Sequence, residues 1–275
     1  MSLRVVAIGL LIIIPCMAGE AASALSAREK NELVGPVRTV TTKGSGISET
    51  ENYDTEGNLL EVVTYLEHEK STTRYLFAYN HRGTLLEENA YRGNGTLLYR
   101  NLFAYAYDVQ GHETAAVAAS PDGVFRHAEF SLYDNRGYLS EKLHSNASGI
   151  SRNVFDIRGH VVYSAQFKDG ELLSEVTYFY DNWGKRVGLV SYGPTGAVTG
   201  KNKNEYDDSG KQVRRTAEKF QQGAASGRSV TIYEYDGVGN WVKALMKNES
   251  SESAEPATAP YHMVQERIII YYGKP

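Results

Sequence analysis

Seven aspartates recur along this 275-residue chain: Asp54, Asp108, Asp134, Asp156, Asp181, Asp207 and Asp236. Carboxylates gathered along one edge of a sheet could hold calcium. Calcium, however, needs roughly six to eight oxygens around one ion, and each position offers a single carboxylate. Backbone capping of a turn accounts for every copy without a metal. The histidines His81, His112 and His160 fall inside or just after the same turns, and His68 and His262 stand alone. None is part of an H-E-x-x-H pattern. Glu87 with Glu88, and Glu141 beside Lys142, could do acid–base work only if the fold brought them to a catalytic separation. The serines have no G-x-S-x-G elbow, and the glycines are spaced as turns rather than as a phosphate loop. No catalytic residue, metal ligand or cofactor is assigned. The remaining candidates are aromatic. The chain has 20 tyrosines against 2 tryptophans and 8 phenylalanines. A tyrosine face can stack on sugar rings or on a partner's side chains. It can equally be consumed by cross-strand packing. Tyr105, Tyr178, Trp183 and Tyr192 are the candidate binding residues.

The elements that would position them are set by one motif, Tyr53-Asp54-Thr55-Glu56-Gly57-Asn58-Leu59. Tyr53 ends an extended run. Asp54 can accept a hydrogen bond from the backbone two residues on, which opens a type I turn. Gly57 takes positive φ and starts the return strand. Further copies place their glycines at Gly83, Gly111, Gly137, Gly159, Gly184, Gly210 and Gly239, at intervals of 26, 28, 26, 22, 25, 26 and 29 residues. Weaker turns at Gly95, Gly123, Gly149, Gly170, Gly196 and Gly223 fall near mid-period. One period is therefore two strands and two turns. Strands are predicted from 35–41 through 60–67, 73–79, 97–107, 125–133, 138–144, 161–167, 172–180, 187–192, 203–206, 213–220, 229–235 and 241–247 to 263–272. Residues 219–228 read as a second long turn, and Ala27–Leu33 as a short helical lead-in.

Residues 1–24 read as a secretory signal: Arg4, the apolar run Val5–Ile14, then Ala22-Ser23-Ala24 as the cleavage site. Cys16, the only cysteine, lies within it, after Ile14-Pro15 rather than the small residues that precede a lipidation site. Residues 25–275 form a single β-repeat domain without cysteine, interrupted at 248–260 by a Ser-, Glu-, Ala- and Pro-rich mobile loop. The formal charge of −4 gives no support to nucleic-acid binding. The expected location is exported: periplasmic, cell-surface or secreted. No membrane span remains after signal removal.

The Tyr-Asp-x-x-Gly-Asn spacing resembles the YD repeats of the RHS family over most of residues 50–272. The ending Tyr235-Asp236-x-x-Gly239-Asn240-Trp241, followed by Glu266-Arg267-Ile268-Ile269-Ile270-Tyr271, is similar to the last unit of short bacterial YD-repeat proteins. MORN-type repeats match the spacing less well. The resemblance implies long, curling antiparallel sheets. The chain is expected to be too short to enclose a toxin as large RHS proteins do, and neither an Asp-Pro self-cleavage region nor an effector domain is expected after the repeats. The expected fold is all-β: a curled antiparallel meander of roughly 14–16 strands, or alternatively a closed barrel. The expected function is a non-catalytic binding or scaffold module for a cell-envelope protein or glycan. The alternative is a hydrolase of envelope polymers that uses carboxylates gathered by the curl.

Overall fold

The computed structural model describes Arg28, Asn31, residues 33–249 and residues 262–273. The expected signal with Cys16, most of the lead-in, and nearly all of the 248–260 loop lie outside the described residues. Eighteen strands follow one another: β1 (Val37–Gly44), β2 (Ile47–Tyr53), β3 (Leu59–Leu66), β4 (Ser71–Tyr79), β5 (Leu85–Arg92) and β6 (Leu97–Tyr107). Next come β7 (Glu113–Ala119), β8 (Phe125–Tyr133), β9 (Leu139–Asn146), β10 (Gly149–Phe155), β11 (Val161–Lys168) and β12 (Glu171–Tyr180). The last six are β13 (Arg186–Tyr192), β14 (Val198–Tyr206), β15 (Gln212–Gln221), β16 (Ala224–Tyr235), β17 (Trp241–Glu249) and β18 (His262–Tyr271).

Every strand pairs antiparallel with the next, and β1 pairs with both β2 and β18. The meander therefore closes on itself: the expected all-β antiparallel meander is present, in the closed-barrel form given as its alternative. Closure removes the edges that Ile268-Ile269-Ile270 would otherwise leave bare. Eighteen strands is more than a 14–16 count because β2, β5, β7 and β10 are hidden by composition. Ile47–Tyr53 is almost wholly polar, Leu85–Arg92 carries Glu87-Glu88, and Glu113–Ala119 is rich in alanine, a helix former. The long turn expected at 219–228 is also corrected. β15 and β16 extend through it, pairing Phe220 with Ala225 and Gln221 with Ala224, so the reversal is only Gln222-Gly223.

Each Tyr-Asp turn has the geometry its residues demand. In the fourth, Gly137 has φ +83° and its N–H donates to the Asp134 carbonyl at 3.0 Å. Asp134 Oδ1 accepts from the N–H groups of Arg136 and Tyr138 at 2.9 and 3.0 Å. The same side-chain bonds recur at Asp108, Asp156 and Asp181. The carboxylates are thus spent on the backbone.

Alternation along the strands and the register between them define two faces. One carries Tyr53, Tyr79, Tyr105, Tyr133, Tyr180, Tyr206 and Tyr235. Large apolar side chains left exposed in mid-strand, such as Leu102, Phe130 and Ile268, lie on the other. On a closed sheet, side chains converge on the concave side and splay on the convex side. The tyrosine face is therefore the inner wall. An 18-stranded barrel is too wide for its own side chains to fill, and the strands pack substantially only against their sheet neighbours. A closely packed hydrophobic cluster sits at the seam, where Leu33, Val37, Val40 and Tyr53 meet Leu59, Ile269 and Tyr271. Asn240 locks this seam by accepting from the Val34 N–H at 2.8 Å and donating to the Val34 carbonyl at 2.9 Å.

Candidate functional site

The tyrosines at the Tyr-Asp rim are structural. Tyr79, Tyr105, Tyr133, Tyr180, Tyr206 and Tyr235 donate their hydroxyls to the carbonyls of Leu59, Leu85, Glu113, Val161, Arg186 and Gln212 at 2.7–2.9 Å. Each of these carbonyls belongs to the first residue of the strand preceding the tyrosine's own. Tyr272 closes the ring by donating to the Tyr53 carbonyl. Between the rungs, at four of the turns, the residue after the turn glycine covers the next tyrosine. His112 stacks on Tyr133 and His160 on Tyr180, both with ring centroids 4.6 Å apart. Lys185 and Lys211 sit 5.3 and 5.4 Å over Tyr206 and Tyr235. His112 and His160 also bond to Asp108 and Asp156 through Nδ1 at 2.9 and 3.0 Å. Their roles are therefore to pack the rim. Burial, the chief cause, pushes Tyr79 up to about 12 and raises Tyr133 and Tyr235 from the ordinary phenol range.

The four aromatic candidates are not brought together. Tyr105 is a rung of the ladder on β6. Tyr178 lies on the inner wall of β12 with the Arg186 guanidinium 5.9 Å over its ring. Tyr192 ends β13 on the outer face, register-paired with Glu175. Trp183 stands 85% exposed at a turn tip. The paired carboxylates are separated as well. Glu87 faces outward to Arg100 at 2.6 Å, whereas Glu88 faces inward to Tyr99 and Asn101 at 3.0 Å. Glu141 pairs outward with Arg152 at 2.7 Å, and Lys142 turns inward to Glu129 at 2.5 Å. His144 lies 3.4 Å from Glu129 and its ring centroid is 5.2 Å from that of His127. Burial acts to raise Glu129, but the Lys142 hydrogen bond and charge, with His144, outweigh it and hold the carboxyl below its usual range. Among the described residues no cluster of three or more His, Cys, Asp or Glu is arranged to hold a metal ion.

The outer wall of β12–β16 carries a groove of about 450 Å³. Its walls include Phe179, Val190, Lys201, Lys203, Glu205, Arg214, Glu218 and Arg228, with Thr216 between them. The register explains the hollow. Lys203 faces Thr216 on one side and Gly188 on the other, so short residues lie amid rows of long ones. Gly188 cannot be enlarged freely, because a Cβ there would lie 2.8 Å from the Asn202 carbonyl oxygen. Four cations and two carboxylates line this space in a chain of net charge −4. Lys203 pairs with Glu205 at 3.0 Å. Lys201 sits 5.2 Å over the Phe220 ring. Among the described residues, Lys201, Arg214 and Glu218 make no ion pair, and Arg214 Nε is buried without an acceptor. Elsewhere on the same face the cross-strand charges are consumed, as in Arg74–Glu61, Arg100–Glu87 and Arg152–Glu141. Sequence reasoning missed this site. Its signal was a concentration of cations on three consecutive strands, Lys201, Lys203, Arg214 and Arg228, which only the register places side by side.

No protein-family model matches the chain. No curated protein matches it either. Among solved structures, it is similar to a TcdB2–TccC3 toxin complex at 14% identity and TM-score 0.39, covering 86% of this chain and 17% of that one. A Tc holotoxin pore from Photorhabdus luminescens matches at 15% identity and TM-score 0.40 over 84% of this chain and 15% of that one. A porin-like protein from Bacteroides uniformis matches at 9% identity and TM-score 0.44, covering 86% and 99% of the two chains. The chain thus spans about a sixth of the length of the toxin chains it matches.

Proposed function

We propose that this chain is a non-catalytic, exported YD-repeat protein that binds a cell-envelope partner, a protein or a glycan, through the groove on β12–β16. The observation that carries this reading is the set of uncommitted charges in the groove. Lys201, Arg214 and Glu218 stay unpaired on a face where equivalent cross-strand charges are satisfied. Leaving a guanidinium donor unsatisfied costs roughly 1–3 kcal/mol, a cost that an incoming polar ligand can offset. Phe179, exposed at the groove wall, adds an apolar contact. The cavity lies in the size range of small-ligand sites, and its convergent polar groups suit an oligosaccharide unit or a charged protein loop.

The test is a cross-linked pull-down of the protein from its native envelope, run beside a Lys201→Gln/Arg214→Gln double variant. Lys201 is exposed, and Arg214 is half-buried with a donor that no acceptor satisfies, so the variant should melt close to the parent. Capture is expected to fall at least about tenfold, the equivalent of roughly 1.4 kcal/mol. Equal capture by parent and variant, or no capture by the parent, refutes the reading.

A further inference from the structure

Three of the repeat turns, two Tyr-Asp and one Phe-Asp, carry a large apolar residue at the tip. Val109 is fully exposed, Ile157 is 65% exposed and Trp183 is 85% exposed. The turn does not require this, because its central positions accept most residue types. The turns at Thr55-Glu56, His81-Arg82, Asn135-Arg136 and Asp208-Ser209 are polar there, and Val238 in the last turn lies against Gly35 instead of projecting. The apolar tips stand on one sector of one rim, between β6 and β13. Successive turns on that rim are two strands apart, or about 10 Å, so Val109 to Trp183 spans about 30 Å of rim. Tyr107 and Tyr138 are exposed just behind the tips. Arg136 lies 5.3 Å over the Tyr138 ring, and Arg158 donates to the carbonyl of Asn182, next to Trp183, at 3.1 Å, so both guanidinium groups are held among the turn tips.

We propose that this rim sector docks on a phospholipid bilayer, with Val109, Ile157 and Trp183 entering the interface. The tips are separate knobs with hydrogen-bonded polar backbone between them. A bilayer accepts knobs in any arrangement, whereas a protein partner would need a matching pocket for each. Around the apolar tips lie the exposed Tyr107 and Tyr138 rings and the Arg136 and Arg158 guanidinium groups, amphipathic and cationic side chains that suit the headgroup level. The contact stops at the rim. The outer wall carries mid-strand pairs such as Arg100–Glu87 and Arg152–Glu141, which are costly in hydrocarbon. The sector carries a net charge of −1, with Asp108, Glu113, Asp134, Asp156 and Asp181 against Arg136, Arg158, Lys185 and Arg186. Docking therefore depends on apolar insertion and not on anionic lipid.

The experiment follows Trp183 fluorescence of the protein as vesicles of brominated phosphatidylcholine are added. Trp241, the other tryptophan, is half-buried with the Arg267 guanidinium 3.7 Å over its ring, so it serves as the internal reference. The expected result is quenching of the parent, none in Trp183→Phe, and the same response when anionic lipid is included. Val109→Asp/Ile157→Asp should need at least about tenfold more lipid for equal quenching, since apolar area leaves water at both tips. Aspartate is well tolerated in turns, and a melting curve confirms that the variant is folded. Absence of Trp183 quenching, or quenching unchanged in the folded aspartate variant, overturns the proposal. So does Trp183 protection by native envelope that protease treatment abolishes and protein-free vesicles do not reproduce, which would assign the rim to a protein partner.

Discussion

Replacing Tyr133 by Phe tests the ladder at a single atom. The ring stays, with its stack on His112 at 4.6 Å, and only the hydroxyl that donates to the Glu113 carbonyl at 2.9 Å is lost. A neutral hydrogen bond of this kind contributes about 1 kcal/mol net. For a chain of this size that corresponds to a fall of roughly 2–4 °C in melting temperature. The chain holds its own counter-experiment. Phe155 ends β10 at the position where the other repeats carry tyrosine, and Leu139, the first residue of β9, supplies the equivalent carbonyl. Phe155→Tyr is expected to raise the melting temperature by up to the same amount. Tyr180→Phe, four strands away from Tyr133, should cost about as much as Tyr133→Phe, and the two should add. Thermal unfolding followed by circular dichroism reads all four variants. If Tyr133→Phe and Tyr180→Phe both melt within a few tenths of a degree of the parent, the rungs do not hold the rim. A Phe155→Tyr variant less stable than the parent would separately show that the repeat geometry is not shared at that turn.

Other outcomes follow from the same geometry. Gly137→Val should cost several times more than Asn135→Ala. It forces a Cβ into φ +83° with His112 ring atoms 3.2 Å away, and left-handed backbone alone costs a residue with a Cβ about 1–2 kcal/mol. Equal, small shifts in melting temperature would contradict the turn assignment. At high pH the barrel should loosen. Burial raises Tyr79 and Tyr271 to about 12, so their contribution is complete below pH 10 and is lost as pH rises through about 12. A melting temperature flat from pH 9 to 12 would refute this. At low pH the depressed Glu129 behaves in the opposite sense, contributing above the ordinary carboxylate value of 4.5 and losing that contribution as pH falls below it. Lys142→Met should therefore flatten the acid limb of the stability curve, and an unchanged limb would show that Lys142 does not hold Glu129.

The repeat was legible because its turn chemistry is local. Asp at the first position and Gly in the αL position specify a reversal with no knowledge of what lies across the barrel, and the turns fell where Asp134 and Gly137 required them. The strands that escaped notice, β2, β5, β7 and β10, have residues chosen for the pairing environment rather than for strand propensity. Glu88 sits mid-strand because Tyr99 and Asn101 meet it from β6, and Ala116 and Ala118 are small because larger neighbours close over them. Closure itself rests on Val37–Lys43 meeting Tyr271–Glu266 across more than 220 residues of sequence, a pairing no local pattern encodes. The groove was illegible for the same reason. Lys201, Glu218 and Arg228 become neighbours only once two registers are fixed.

The tyrosines show how abundance can mislead a search for a binding surface. A residue that recurs once per period answers a demand that recurs once per period, and here that demand is the carbonyl left at the start of each preceding strand. Tyr105 meets it with its hydroxyl and its half-buried ring, so little of it remains to offer a ligand. Departures from the repeat carry the opposite information. Phe179 beside the groove cations, and Val109, Ile157 and Trp183 at turn tips, satisfy nothing that the barrel asks of those positions. Their turn and strand partners are complete without them. Substituting such residues should therefore leave the melting temperature nearly unchanged while altering what the surface binds. Ladder tyrosines should do the reverse. A Trp183 variant that lowered stability as much as Tyr133→Phe would break that division.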